Sequence, residues 1–264
     1  MRLLRAAPAG DWLVEEAFGG AGELHAASGG LLEHPAGEVV RRVRVLHAER
    51  PAVVLGAGQD DALVDRGRAS RLGLEVARRR SGGGAVLVGP GESVWVDLLI
   101  PRDDPLWADD VGRAMAWVGA LWRRALAALG WGPVEVWPGP MIRTPWSDRV
   151  CFAGVGPGEV LAAGGAAGPR RAGPGVGGLG PKVVGVSQRR GRSGALFQTA
   201  ALLRWRPLDL LGALHLDHAA RRQGAAELAG AAAGLGPLPP GAVVAAVTAA
   251  LPGGGEEGGR GRLP

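Results

Sequence analysis

The sequence predicts an α+β fold with mixed or antiparallel sheets packed against helices. Strand-like segments occur in clusters, one long amphipathic segment separates two of these clusters, and further helical segments lie towards the ends. Strands and helices do not alternate regularly, as they would in a doubly wound parallel sheet. At 264 residues, 47% of them hydrophobic, the chain can form one large domain with a substantial core.

Short apolar or alternating runs bounded by turn-forming residues predict the strands. The predicted strands are residues 39–47, 52–56, 74–80, 85–88, 93–101, 134–137, 150–154, 182–190 and 194–205. The last two are predicted to pair antiparallel. Residues 161–181 are rich in glycine, alanine and proline, which predicts a mobile loop.

Apolar residues at three- and four-residue spacing predict a helix over 109–130, ended by Gly130. Its expected apolar positions are Val111, Met115, Val118, Trp122, Leu126 and Leu129. Other helices are predicted at 11–18, 61–73, 225–235 and 241–251. We therefore expect a main domain over 1–225, a short helical appendage over 226–251 and a disordered tail over 252–264.

Composition limits the cellular setting and the partners. The single cysteine, Cys151, excludes an internal disulfide framework and suits a reducing compartment. No apolar run approaches the roughly 18–20 residues that cross a bilayer, and the amino terminus becomes acidic before a signal-peptide core could form. The net charge of +5 is too modest to indicate a nucleic-acid site. We expect a cytoplasmic protein with no membrane partner and no specific nucleic acid.

The basic residues are almost all arginine, and Lys182 is the only lysine among 30. A GC-rich genome explains this preference, so Lys182 is either a chance survivor or a position that needs a compact ammonium, which arginine cannot supply. His215 and His218 could lie on one face of a helix, but a solvated helix end explains them better than a metal site, and none is predicted.

The stretch RRRSGGG (78–84) places three arginines against a serine and three glycines between two predicted strands. A hairpin turn alone needs only one or two glycines. Three glycines also suit a backbone that approaches a ligand closely and offers its N–H groups to an anion. Because neighbouring side chains on an extended segment point to opposite sides, Arg79 should face away from Arg78 and Arg80.

Three motifs in order carry a family resemblance. RRRSGGGAV (78–86) resembles the signature of the lipoate–protein ligase and octanoyltransferase family, whose fold is related to that of biotin–protein ligases. VVLGAGQ (53–59) resembles the family's strand ending in Gly-x-x-Gln, and KVVGVSQ (182–188) resembles its lysine segment. The resemblance implies a biotin/lipoate ligase-like catalytic domain that attaches an octanoyl or lipoyl group to a lysine of a lipoyl domain or of the glycine-cleavage H protein.

The resemblance also implies roles for individual residues. Arg79, Ser81 and the glycines Gly82, Gly83 and Gly84 would line the acyl or acyl-adenylate pocket. Lys182 would contact the acyl carbonyl, Gly185 would allow close approach, and Gln59 belongs to the same substrate-binding set.

Cys151 has two interpretations. A free cysteine is usually a small buried hydrophobic residue. However, CFAGVGPGEV (151–160) resembles in part the cysteine segment of the cysteine-dependent octanoyltransferases: Cys151, Phe152 and Glu159 agree with that segment. A nearby Lys182 ammonium could then activate the thiol, since an ammonium at roughly 4 Å favours the thiolate.

Three functions remain open from the sequence. Cysteine-dependent transfer, the preferred one, would take octanoyl acyl carrier protein as donor and need no cofactor. ATP- and magnesium-dependent ligation of free lipoate through lipoyl-AMP is the alternative; Gly84 matches those ligases. A non-catalytic acyl-binding relative is the third, because Val88 and Gly89 stand where the family commonly has a polar pair.

Overall fold

A computed structural model describes residues 1–33, 39–163 and 176–253 and confirms the α+β fold. The strands are β1 (Arg2–Arg5), β2 (Leu13–Gly19), β3 (Arg42–Ala48), β4 (Ala52–Leu55), β5 (Glu75–Arg78), β6 (Val86–Val88), β7 (Ser93–Pro101), β8 (Val134–Val136), β9 (Val160–Ala162), β10 (Lys182–Arg190) and β11 (Gly194–Leu202). The helices are α1 (Ala21–Gly30), α2 (Arg66–Arg71), α3 (Val111–Ala114), α4 (Ala116–Ala128), α5 (Pro207–Ala213), α6 (His218–Leu228) and α7 (Pro240–Ala249).

The described strands form two sheets. The large one has eight strands in the order β1-β2-β3-β7-β11-β10-β9-β8, and the small one has three in the order β5-β4-β6. The predicted antiparallel pairing of β10 with β11 is confirmed, from Val184–Ala201 to Arg190–Ala195. In the described ranges no helix has the length and apolar character needed to cross a membrane.

The two faces of the large sheet have different coverings. One face packs on α4 and α7 to form the main core, which includes Trp122, Phe197 and Val247. The other face is covered in part by α1 and the small sheet, through Leu24, Val54 and Trp95. The candidate site lies on this second face.

The helix predicted at 11–18 is wrong, because the segment is strand β2. β2 pairs with β3 in parallel and with β1 antiparallel. Its Glu15 is fully buried and binds Arg42 at 2.6 Å and Arg44 at 2.7 Å, so charges from β3 stabilise the pairing. Tertiary pairing overrides the local helical pattern here.

α1, which no local pattern predicted, begins at Ala21. A carboxylate from β5 satisfies its first N–H groups: Glu75 accepts hydrogen bonds from Ala21 at 3.3 Å and from Gly22 at 3.0 Å. The cap is 53 residues away in sequence, so no local pattern shows it.

The long predicted helix is interrupted at Met115, which separates α3 from α4. Val118, Trp122 and Leu126 are fully buried as expected, whereas Val111 is 53% exposed and does not belong to the core. Gly130 follows α4 with a φ of +66°, as a left-handed terminating glycine.

The remaining segments differ in smaller ways. Residues 150–154 do not form the predicted strand, because Cys151–Ala153 form a 3-10 turn. α5 was not predicted, and α6 begins earlier than the helix expected at 225–235. The predicted loop 161–181 contains the end of β9, and its residues 164–175 lie outside the described residues, as do 254–264 of the predicted tail. The domain division at 225 stays a prediction.

Candidate active site

The three arginines beside the glycine turn face different directions, as their alternation predicts. Arg79 is buried, and Arg78 and Arg80 are exposed. Arg78 binds the carbonyls of Gly56 and Gln59 and pairs with Asp61 at 2.6 Å, and Arg80 pairs with Glu33. Only Arg79 is therefore available to the interior.

Arg79 holds the turn together. Its guanidinium donates four hydrogen bonds to three backbone carbonyls: two to Gly82 at 2.8 and 3.2 Å, one to Gly84 at 2.8 Å and one to Val54 at 3.3 Å. The side chain also lines the cleft described below. These hydrogen bonds fix the conformation of the glycine turn.

Two of the glycines are required by geometry. Gly83 has a φ of +96°, which L side chains rarely adopt. A Cβ at Gly84 would lie 2.5 Å from the Val150 carbonyl carbon and 2.7 Å from the Cys151 nitrogen. The turn therefore packs directly against the cysteine segment, and Cys151 also donates its N–H to Ala85 at 2.9 Å.

Cys151 lies beside the turn and lines the cleft. Its thiol sulfur is 4.0 Å from the position that a Cβ of Gly83 would take, and the residue is half-buried. Within the described part of the chain, the N–H groups of residues 82–84 have no hydrogen-bond acceptor. The thiol thus lies beside a turn whose N–H groups have no acceptor among the described residues, and such groups can bind a negative charge.

Lys182 is buried behind Cys151, with 1% of its surface exposed. Its ammonium donates to the carbonyls of Cys151 and Gly154, both at 2.7 Å, and pairs with the Glu159 carboxylate at 2.9 Å. Burial raises the pKa of Glu159, an effect that the Lys182 ammonium opposes.

The sequence analysis considered Lys182 as an ammonium that activates the thiol, and the structure pairs this ammonium with Glu159. Because Glu159 neutralises Lys182, the pair gives the thiol less electrostatic activation than a lone ammonium would. Contact between Lys182 and an acyl carbonyl stays a prediction, since its hydrogen bonds go to protein oxygens.

A row of polar side chains crosses the same face of the sheet. The Ser187 hydroxyl donates to Ser81 at 3.1 Å, and Ser81 donates to the Gln198 carbonyl oxygen at 2.9 Å. The Gln198 amide is 3.2 Å from both His25 Nδ1 and Asp97 Oδ2. Ser81 thus connects the signature turn to a buried polar network.

Two members of this network have strongly shifted pKa values. Burial lowers the pKa of His25 to about 3, with a further contribution from the Arg79 charge. Burial raises the pKa of Asp97 to about 6, although hydrogen bonds from Gln198 and Trp95 oppose this. At neutral pH His25 is therefore uncharged and poorly suited to act as a base.

The cleft has a volume of about 460 Å³ when the space in its open mouth is included. Its walls are mainly apolar, with a few polar groups. The apolar walls come from Val86, Val88, Trp95 and Phe152, and the polar ones from His25, Arg79, Cys151, Ser187 and Gln198.

The sequence-predicted residues divide into two groups around this cleft. Arg79, Cys151 and Gly185 line it. Ser81 reaches it through Ser187 and Gln198, and Lys182 stands behind Cys151.

Gln59 has a supporting position. Its amide donates to the Asp148 carbonyl at 2.7 Å, and its oxygen accepts from the Gly56 N–H at 3.0 Å. Through these contacts it joins the end of β4 to the segment that leads into Cys151. His215 and His218 are exposed.

The sequence analysis did not identify His25, Asp97, Ser187 or Gln198. Asp97 and Gln198 could have been recognised from the sequence, because each is a polar residue within a mainly apolar strand. A polar group buried in such a strand needs a hydrogen-bond partner. No sequence pattern identified His25, because α1 itself was not predicted.

One family profile matches most of the chain. The profile described as Lipoyl protein ligase A/B catalytic domain matches residues 30–235. No curated protein matches the chain.

Solved structures share the fold at low sequence identity. A bipartite lipoate protein ligase from Thermoplasma acidophilum, studied with its E2 lipoyl domain, is 17% identical, with a TM-score of 0.62 over 89% of this chain and 81% of the other. A lipoate-protein ligase A bound with ATP is 17% identical, with a TM-score of 0.63 over 90% of this chain and 82% of the other. P. falciparum LipL1 in complex with lipoate is 12% identical, with a TM-score of 0.55 over 90% of this chain and 61% of the other.

Proposed function

Because the chain belongs to the lipoyl protein ligase A/B catalytic-domain family, we propose that it transfers an octanoyl or lipoyl group through Cys151 to a lysine of an acceptor protein. The observation that carries the proposal is the position of Cys151. Its thiol lies on the wall of an apolar cleft, next to the glycine turn. An acyl chain suits such a cleft, and a thiol at its wall can reach the acyl carbon.

The transfer has two balanced steps. The Cys151 thiolate attacks the thioester carbon of the donor, the donor C–S bond breaks, and the donor leaves as a thiol carrying the proton that Cys151 gives up. The unprotonated acceptor amine then attacks acyl-Cys151, an amide forms, and Cys151 recovers its thiol. In this proposal the N–H groups of residues 82–84, which have no acceptor among the described residues, stabilise the oxyanion in both steps.

Lys182 and Glu159 do not line the cleft, but in this proposal they hold the segment that carries Cys151. By binding the carbonyls of Cys151 and Gly154, the ammonium fixes the turn that carries the thiol. Holding a nucleophile in one orientation lowers the entropic part of the barrier.

The donor in this proposal is octanoyl acyl carrier protein, and the acceptor is a lipoyl domain or a glycine-cleavage H protein. One of the solved relatives was studied with its E2 lipoyl domain, which supports the choice of acceptor class.

Nucleotide phosphates fit the cleft less well than an acyl chain does. In the described part of the chain, Arg79 is the charged cation on the cleft wall, and it already makes four hydrogen bonds to carbonyls. Lys182 is paired with Glu159. Among the described residues, neither of these two cations is therefore free to bind a nucleotide phosphate.

ATP-dependent ligation of free lipoate is the second candidate. The relative bound with ATP and the third glycine of the signature, Gly84, favour it. In that case Cys151 would only pack against the turn.

The test is the intact mass of an apo lipoyl domain incubated with this protein and either octanoyl acyl carrier protein or lipoate, ATP and magnesium. We expect a mass increase with the carrier protein alone, and an acyl thioester on the enzyme that is absent from Cys151→Ser. Modification only with lipoate and ATP, unchanged in Cys151→Ser, would establish ligation instead. Acyl binding without modification in either mixture would indicate a non-catalytic relative.

A further inference from the structure

Ser187 is the end of a polar row that crosses the large sheet. The strand register places Gln198 of β11 opposite Asp97 of β7 on one side and opposite Ser187 of β10 on the other. The side chains of one such row share a face of the sheet. Gln198 and Asp97 are more than nine-tenths buried, whereas Ser187 is partly exposed on the cleft wall. The row thus connects a buried carboxylate to a hydroxyl that a bound molecule can reach.

Two acceptors fix the orientation of the Gln198 amide. Its nitrogen is 3.2 Å from Asp97 Oδ2 and 3.2 Å from His25 Nδ1. A carboxylate only accepts hydrogen bonds, and Nδ1 of a neutral histidine accepts when the proton is on Nε2. Turning the amide over would place its oxygen against both acceptors. The amide nitrogen therefore faces the interior, and the amide oxygen faces Ser81.

The hydrogen bonds then run in one direction, from the cleft to the interior. Because the Gln198 oxygen only accepts, the Ser81 hydroxyl donates to it at 2.9 Å. A hydroxyl has a single hydrogen, so Ser81 has only lone pairs left for Ser187, whose hydroxyl donates to it at 3.1 Å. Among the described residues no donor reaches the Ser187 oxygen, so its lone pairs are available to a ligand in the cleft.

An oxygen that has free lone pairs and no hydrogen to give selects a ligand that donates. The acyl carbon and the thioester sulfur of the proposed reaction carry no N–H or O–H, whereas the attacking amine carries two N–H bonds. One of its protons goes to the Cys151 sulfur when the thioester bond breaks, and the other stays as the N–H of the new amide. Cys151 and Ser187 line the same cleft, so the reacting nitrogen and the Ser187 oxygen share one space.

We propose that the Ser187 hydroxyl oxygen accepts a hydrogen bond from the N–H of the attacking lysine, the same N–H that remains in the amide product. Ser187 touches the substrate, and Ser81 and Gln198 are positioning residues, because they hold the Ser187 hydrogen away from the cleft. This rests on the proposed transfer to a protein lysine, which it deepens by naming the residue that receives the amine.

The test compares two ligands that differ at one atom. Nα-acetyl-Nε-octanoyl-lysine is the product analogue, and the matched ester has an oxygen in place of its Nε–H. Calorimetry in a Cys151→Ala background measures both affinities without turnover. The amide-to-ester affinity ratio reports the N–H contact, because the acyl chain, the carbonyl and the amino-acid part are common to both ligands.

Ser187→Thr and Ser187→Val are the matched variants, since they have the same branched shape and only threonine keeps a hydroxyl. The amide-to-ester affinity ratio should stay near its original value in Ser187→Thr. In Ser187→Val it should fall about fivefold, the usual effect of one hydrogen bond. Ser81→Ala leaves Ser187 in place but frees its hydrogen, so the ratio should lie between these two values.

The proposal is overturned if neither ligand binds, if Ser187→Thr and Ser187→Val give the same ratio, or if Ser81→Ala leaves the ratio unchanged. If the branched variants fold poorly, Ser187→Ala removes the hydroxyl without adding a branch, and its ratio should fall about fivefold as well.

The same measurement separates this inference from the proposed function. Binding requires no turnover, so a ratio that depends on Ser187 in a protein that modifies no lipoyl domain would remove the transfer function and leave the N–H site in place. Modification of a lipoyl domain, together with a ratio that does not change in Ser187→Val, would retain the transfer function and overturn the role of Ser187.

Discussion

Lys182 illustrates at the scale of one residue why a compact ammonium can be irreplaceable. Its three N–H donors meet two carbonyls on the Cys151 turn and one buried carboxylate. The planar fork of a guanidinium would not match these three directions in a fully buried space. The sequence singled out Lys182 as the only lysine, but the Glu159 pairing depends on a fold that brings β10 against the turn.

Asp97 and His25 give a prediction about pH. Folded Asp97 keeps its proton up to about pH 6, whereas in the unfolded chain it titrates near 3.8. Its contribution to stability is therefore fully present below about pH 4 and lost as the pH rises through 6. For His25, with a folded pKa of about 3, the contribution is present above 6.5 and lost as the pH falls.

The measurement is the free energy of unfolding by denaturant at pH 4.5 and 7.5 for the unmodified protein, Asp97→Asn and His25→Gln. Between pH 4.5 and pH 7.5, the free energy of unfolding of Asp97→Asn should rise by roughly 2 kcal/mol relative to that of the unmodified protein. Over the same pH range, the free energy of unfolding of His25→Gln should fall relative to that of the unmodified protein. Equal pH dependence in all three proteins would mean that neither group is buried as described.

The glycine turn is the element that joins the signature to the nucleophile, and it gives a second prediction. In Gly84→Ala the new Cβ would lie 2.5–2.7 Å from backbone atoms of Val150 and Cys151, which cannot move without the turn. Overpacking of this kind costs about 1–3 kcal/mol. We expect that loss in the free energy of unfolding, together with an altered rate of Cys151 alkylation.

Gly82→Ala is the matched control within the same turn. No atom lies within 4 Å of its added Cβ, and its φ is not in the left-handed region. Its unfolding free energy should change by no more than about 0.5 kcal/mol. If both variants lost stability equally, the contact between the turn and the cysteine segment would not explain Gly84.

The elements differ in how well local sequence predicts them. β7, β10 and β11 carry alternating or apolar patterns bounded by turn residues, and their predicted bounds agree closely with the structure. β2 and α1 depend on partners from elsewhere, namely the Arg42 and Arg44 side chains of β3 and the Glu75 carboxylate of β5. The same distinction applies to the site. Its motif residues were recognisable from the sequence, whereas the contacts among His25, Gln198 and Asp97 depend on the packing of three segments that are far apart in sequence.

At the scale of the whole molecule, residues near the carboxyl-terminal end of the described chain pack against residues of the amino-terminal strands. The Pro252 carbonyl accepts hydrogen bonds from the Trp12 indole at 2.9 Å and from Arg41 at 3.4 Å. Arg41 itself pairs with Asp104 at 2.6 Å in the interior. Val243 and Val247 of α7 lie in the main core with Trp12. These contacts favour a single cooperative unit over a main domain with a separable 226–251 appendage.

Unfolding of Val247→Ala distinguishes these two arrangements. Val247 is 1% exposed in the main core, so removing two methyl groups should cost about 2 kcal/mol through lost burial and the cavity left behind. In a cooperative unit the whole transition moves to lower denaturant, when followed both by tryptophan fluorescence and by circular dichroism. Val111→Ala, the same substitution at a 53% exposed position, should change stability by no more than about 0.5 kcal/mol. If α7 unfolds separately, Val247→Ala will instead shift only an early, partial loss of helical signal and leave the main transition in place, because the core of the large sheet would then not depend on α7 for its stability.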